Sequence, residues 1–156
     1  MSLKLDNIDR KIVSALLENG RLPAKKLAAE LKVHPNTLLQ RLRKLEGSGV
    51  IKKYSACVDF AKLGYDFHVI ILMEVKGYEG KPEQLKDLLE IEEIEALYAT
   101  TGVYGLVAVC RVKNREHLLD ITHKLGRSPI VTRSVTQVVL SPYRTPDRFN
   151  PLPSQT

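Results

Sequence analysis

Residues 22–46 carry two helical patterns separated by only a few residues, and that spacing leaves the first third of the chain little choice of architecture. Pro23 opens the first pattern, where a missing N–H costs nothing, and Leu27, Ala28 and Leu31 fall on one face. Lys32, Val33 and His34 make a tight connector before Pro35 opens the next helix. Leu38, Leu42 and Leu45 form its inner stripe, while Asn36, Thr37, Gln40, Arg41, Arg43 and Lys44 spread over the rest. Upstream, Asp6 with Asp9 three residues on resembles a capping box. Ile8, Ile12 and Leu16 follow as a stripe, widened by Val13 and Leu17 and stopped at Asn19-Gly20. Gly47-Ser48-Gly49 ends the third helix, and residues 50–54 read as a short strand. Residues 1–54 are therefore expected to form a winged helix-turn-helix.

Beyond Tyr54 the period changes. Residues 55–66 read as a linker, with an extended stretch and a turn at Lys62-Leu63-Gly64. Strands are predicted over 67–75, 94–101, 106–112 and 130–140, with one helix after Pro82 and another over 116–125. This β-α-β-β-α-β order is that of a ferredoxin-like sheet over residues 67–141, with both helices on one face, so the fold class is α+β. The other face stays open in one subunit. Ile70, Leu72, Ala96, Tyr98, Ala108 and Cys110 are expected to share it, and a second copy of the chain to cover it. Residues 142–156 hold four of the eight prolines and read as an extended C-terminal arm with little to pack.

Charge separates the same segments. Residues 1–54 hold 12 Lys and Arg against five Asp and Glu, whereas residues 55–141 hold ten against 12. A basic unit attached to a mildly acidic one points to a polyanion partner for the first unit alone. In a helix-turn-helix the second helix enters the major groove of double-stranded DNA. There Asn36 and Gln40 can each bond adenine through two contacts, and Arg41 or Arg43 can pair guanine or clamp phosphate. Thr37 lies on the same exposed turn. Lys25, Lys26 and Lys44 suit phosphate, as do Lys52 and Lys53 on the wing; such contacts position without reading sequence.

The blocks Leu5-Asp6-x-Ile8-Asp9-x-Lys11-Ile12 and Leu27-Ala28-x-x-Leu31 lead into Thr37-Leu38-x-x-Arg41-Leu42-x-x-Leu45-Glu46-x-x-Gly49-Val50-Ile51-x-x-Tyr54. Further on come Thr101-Gly102-x-Tyr104 and Ser134-x-Thr136-x-x-Val139-Leu140. Over residues 3–141 the chain thereby resembles the Lrp/AsnC (feast/famine) family of transcription regulators. The resemblance implies a regulator that binds DNA sequence-specifically and responds to an amino acid or a related small molecule. It also implies a homodimer, with four dimers in a ring as the larger assembly. By position it marks Thr101, Gly102, Tyr104, Ser134 and Thr136 as ligand-binding, and Gly105 joins them because Gly102 and Gly105 let backbone N–H groups approach a carboxylate. From the residues alone, that segment reads as a structural β-turn beside polar strand positions. Two positions depart from the family pattern: His34 stands where Ser usually caps the third helix, and Gly105 where the loop usually has Asp. The alternative reading is an architectural DNA-binding protein with no effector.

An enzyme is not expected. His34, His68, His117 and His123 show no metal-ligand spacing, and neither a phosphate loop nor a nucleophile motif occurs. The acidic run Glu90, Glu92, Glu93 and Glu95 reads as a solvated helix end, and no cofactor is implied. Cys57 and Cys110 are isolated thiols. The apolar runs at 69–73 and 106–110 are too short to cross a bilayer, and the opening residues lack a signal peptide's apolar core, so a cytoplasmic location is expected.

Overall fold

Three helices form where the apolar stripes placed them: α1 (Asn7–Glu18), α2 (Ala24–Glu30) and α3 (Pro35–Gly47). They are seen in a computed structural model that describes residues 4–143, 145 and 150–152. Ile12, Leu27, Ala28, Leu38 and Leu45 are fully buried between them and make a small core. The capping box closes: the Asp9 amide donates to Asp6 Oδ1 at 2.8 Å, and the Asp6 amide to Asp9 Oδ2 at 3.4 Å. The turn between α2 and α3 is tight because Lys32 takes a left-handed conformation (φ 53°). That lets the Val33 amide reach back to the Ala28 carbonyl at 3.0 Å, a helix ending usually given to glycine.

The expected strand over 50–54 does not form. A strand needs a partner ladder, and these residues pair instead with the end of α3. The Ile51 amide donates to the Leu45 carbonyl at 3.1 Å, and Tyr54 Oη donates to Glu46 at 2.8 Å.

The chain divides into two units, Met1–Val58 with Tyr143–Thr156, and Asp59–Pro142. The C-terminal arm therefore belongs with the helices of the first unit. Its residues 144, 146–149 and 153–156 lie outside the described ones, but Asn150 Nδ2 donates to Ser14 Oγ at 2.8 Å. Ser14 lies about 200° around α1 from Ile12, on the face that a three-helix core leaves to solvent, yet it is only 8% exposed. The arm accounts for part of that cover.

The second unit has β1 (Phe67–Val75), a 3₁₀ turn at Pro82–Leu85 running into the short α4 (Lys86–Leu89), β2 (Ile94–Ala99), β3 (Leu106–Val112), α5 (Arg115–Gly126) and β4 (Val131–Val138). The strand order is β2-β3-β1-β4, antiparallel throughout, as the split pattern requires. Val69, Ile71 and Met73 of β1 and Leu106, Ala108, Cys110 and Val112 of β3 are buried with Leu88, Ile91, Ile121 and Leu125.

That packing corrects the expected membership of the open face. Ile70 pairs with Val109 and Leu72 with Val107, so it is Val107 and Val109 that share their face. Ala108 and Cys110 point into the core. Ala96 and Tyr98, opposite Val109 and Val107, keep their expected side, and Val135 joins them opposite Leu72.

Glu93 is not part of a solvated run. His117 Nε2 donates to its Oε1 at 3.0 Å, Lys124 Nζ donates at 2.9 Å, and the Lys113 amide donates to His117 Nδ1, which fixes the tautomer. Burial works to raise the Glu93 carboxyl, but the Lys124 and His117 bonds outweigh it and bring it from 4.5 to about 2. A depressed carboxyl contributes stability that is complete above its unfolded value and drains away as pH falls toward its folded one. The protein is therefore expected to lose stability progressively from about pH 4.5 to about pH 2. Glu93→Gln should remove that part of the slope, as acid titrations followed by denaturant unfolding would show. Parallel slopes would mean that the pair contributes nothing.

Candidate nucleic-acid interface and ligand turn

The start of α3 is set by His34, whose Nδ1 accepts from the Asn36 amide at 3.2 Å. Histidine lacks the hydroxyl of the Ser that usually stands at this position. A neutral imidazole supplies an acceptor at the same reach, so the helix end is capped after all.

Asn36, Thr37, Gln40, Arg43 and Lys44 are exposed along α3, as are Lys25 and Lys26 on α2 and Lys52 and Lys53 after α3. Leu39, 42% exposed, stands among them. Sequence reading passed over it because it adjoins Leu38, where an apolar residue looks like a widening of the buried stripe.

Arg41 departs from its expected placement. Its Nη1 lies 2.5 Å from Asp6 Oδ2 and 2.7 Å from Asp9 Oδ1, and its side chain is 25% exposed. Asp9 has no exposed surface, and Lys44 Nζ approaches its other oxygen at 3.5 Å. The reason is helical geometry: position 41 follows Leu38 by three and precedes Leu45 by four, so it flanks the inner stripe. The Asp9 amide first, and Arg41 second, hold the Asp6 carboxyl below its ordinary value. Asp6 and then Asp9 raise the guanidinium in turn.

In the second unit, Thr101, Gly102, Tyr104 and Gly105 lie on the turn between β2 and β3. Thr100 closes it, its amide donating to the Gly105 carbonyl at 2.9 Å and its hydroxyl to the Tyr104 carbonyl. Among the described residues the amides of Thr101, Gly102 and Val103 have no backbone partner, and Gly102 is left-handed (φ 101°). Ser134 and Thr136 sit on β4, opposite Met73 and Ile71 of β1. Since Met73 also faces Leu106, Ser134 is at the turn's end of the sheet but separated from β3 by β1. One subunit gathers the turn residues but does not bring the β4 pair against them.

The absent Asp at position 105 has a neighbour that explains it. A Cβ on Gly105 would lie 2.5 Å from Val75 Cγ2, inside any tolerable contact. Val75 fills the space from which a side chain would start.

Residues 5–46 match the AsnC-type helix-turn-helix domain, and residues 68–148 match the Lrp/AsnC ligand binding domain. The HTH-type transcriptional regulator FL11 of Pyrococcus horikoshii is 37% identical over 145 residues, which span 92% of this chain and 95% of that protein. The solved structure of Escherichia coli AsnC is similar at 28% identity with a TM-score of 0.83, covering 93% of this chain and 99% of that one. The Neisseria meningitidis regulator NMB0573, solved as a complex with L-Met, shares the fold at 22% identity and a TM-score of 0.85, covering 91% and 94%. These proteins are transcription regulators rather than enzymes. Among the described residues no helix is long and apolar enough to cross a membrane.

Gly105→Asp is expected to destabilise the protein by about 1–3 kcal/mol, the usual cost of overpacking. Val75→Ala in the same chain should recover most of that loss. Urea unfolding of the single and double variants measures both, and an unchanged midpoint in Gly105→Asp would show that Val75 yields freely.

Proposed function

Because the chain belongs to the Lrp/AsnC family of transcription regulators, we propose that α3 reads double-stranded DNA through Asn36, Thr37, Gln40 and Arg43, and that an amino acid or close relative sets the response. The exposed polar row on α3 carries this reading, since its opposite side is locked into the core by Leu38 and Leu45. Gln40 and Asn36 have the paired donor and acceptor that adenine requires, and Leu39 offers an apolar surface for a thymine methyl. Lys25, Lys26, Lys52 and Lys53 take phosphates.

The effector end rests on chemistry of the same kind. Unpartnered amides at 101–103 suit a carboxylate, and the hydroxyls of Thr101, Tyr104, Ser134 and Thr136 add hydrogen bonds. Because β1 separates the turn from β4, a complete site draws on two subunits. The open sheet face supplies the dimer contact: Ile70, Leu72, Val107, Val109 and Tyr98 form an apolar centre, rimmed by His68, Glu74, Arg111 and Arg133.

Four outcomes are expected. Arg43→Ala should lower the dependence of log affinity on log salt by about one unit, and Gln40→Ala should relax base preference in a selection from random duplexes. Unchanged behaviour in both would remove α3 from the interface. Leu72→Lys should give a monomer or an unfolded chain by light scattering, because the ammonium would be buried unpaired. A stable dimer would place the contact elsewhere, and the mass of the unsubstituted protein shows whether four dimers associate. Calorimetry with a panel of amino acids, L-Met among them, should give heat with at least one. No heat from any would favour the architectural alternative.

A further inference from the structure

The side chain nearest the middle of the proposed DNA-reading row is already engaged. Arg41 bridges Asp6 and Asp9, the N-cap and third residue of α1, at 2.5 and 2.7 Å. For Arg41 to reach a phosphate it must leave Asp9, whose carboxylate has no exposed surface and would keep only the long contacts of the Asp6 amide at 3.4 Å and Lys44 at 3.5 Å, both to Oδ2. A buried carboxylate stripped of its main partner is strongly unfavourable, and an ion pair made in solvent returns less than that in exchange.

We infer that Arg41 is a positioning residue for DNA recognition and not a DNA contact. It fixes the rotation of α3 by tying its centre to the capped end of α1, and it cancels the negative charge beside the reading row.

Both halves follow from placement. The capping box holds both carboxylates with backbone amides at the start of α1, so a guanidinium bonded to both restrains the rotation of α3. Rotation matters because Gln40 is the next residue, and its contacts with a base edge depend on angle as much as on reach. As for charge, Asp6, Thr37, Gln40, Arg41 and Lys44 line one shallow groove between α1 and α3. Arg41 and Lys44 balance Asp6 and Asp9 there; without Arg41 an approaching phosphate meets net negative charge.

The inference rests on α3 being the DNA-facing helix, so its test includes variants that judge that reading separately. The full-length protein is titrated with a random-sequence duplex over a range of salt, and its thermal unfolding is followed by circular dichroism. Arg41→Ala is expected to weaken binding several-fold while leaving the salt slope at the wild-type value, whereas Arg43→Ala lowers the slope by about one unit. Arg41→Ala should also lower the melting midpoint by about 4–8 °C or more. Asp9→Asn should lower it too, and the double variant no further than the worse single, the mark of coupled groups. Should Arg41→Ala not fold, Arg41→Lys keeps the charge and loses the bridge, and it should show the same lowered midpoint at an unchanged slope. A loss of about one unit of slope in Arg41→Ala, or an unaltered midpoint, overturns the inference. If Arg43→Ala, Lys25→Ala and Lys52→Ala all bind as wild type does, α3 is not the DNA-facing helix, and the positioning role falls with it.

Discussion

A carboxylate with no solvent contact governs the first unit. Asp9 takes part in the α1 cap, accepts from Arg41 and sits within 3.5 Å of Lys44. Among the described residues of that unit only five apolar side chains are fully buried, so its geometry cannot be left to hydrophobic contact alone, which is non-directional. The ion pairs supply direction. They settle how α3 is turned against α1, and hence which of its residues face outward. The Asn150–Ser14 contact acts on the opposite side of the same helix, so α1 is buttressed on two faces.

In the second unit the constraint is geometric. A four-stranded sheet with its helices on one side leaves the other bare, and here the bare side presents Ile70, Leu72, Val107 and Val109 in register. Three of the same strands bear the candidate ligand positions at one end: the β2–β3 turn and β4. A fold with one bare apolar face, and with its polar turn divided from its polar strand by a buried strand, ties the proposed dimer contact and the proposed ligand site to the same sheet.

The sequence made most of this legible, and the failures have separate causes. Helix limits came out within about a residue for α1, α3 and α5, since stripe, cap and stop signals agree there. The false strand at 50–54 came from apolar content with no partner to pair with. Ala108 and Cys110 were assigned to the wrong face because a strand apolar on both sides carries no phase; burial reads Leu106, Ala108, Cys110 and Val112 inward, but Val107 and Val109 look no different in sequence. The ion pairs of Arg41 were not legible, because a charged residue on the flank of a stripe looks like surface until its partners, 32 and 35 residues away, are seen.

Gly105 shows how a departure from a family pattern is better read with its neighbour than alone. In sequence it is a missing carboxylate, and an amino acid's ammonium group loses an expected partner. In the structure the vacated volume belongs to Val75, a β-branched side chain with few rotamers to retreat into. The pair together is an apolar wall where the family places charge, while the unpartnered amides of 101–103 remain. Were the turn to bind an amino acid as proposed, its amides would still suit the carboxylate, while the ammonium group would lack the acidic partner. On the proposed ligand reading, position 75 then matters as much as the residue missing at position 105.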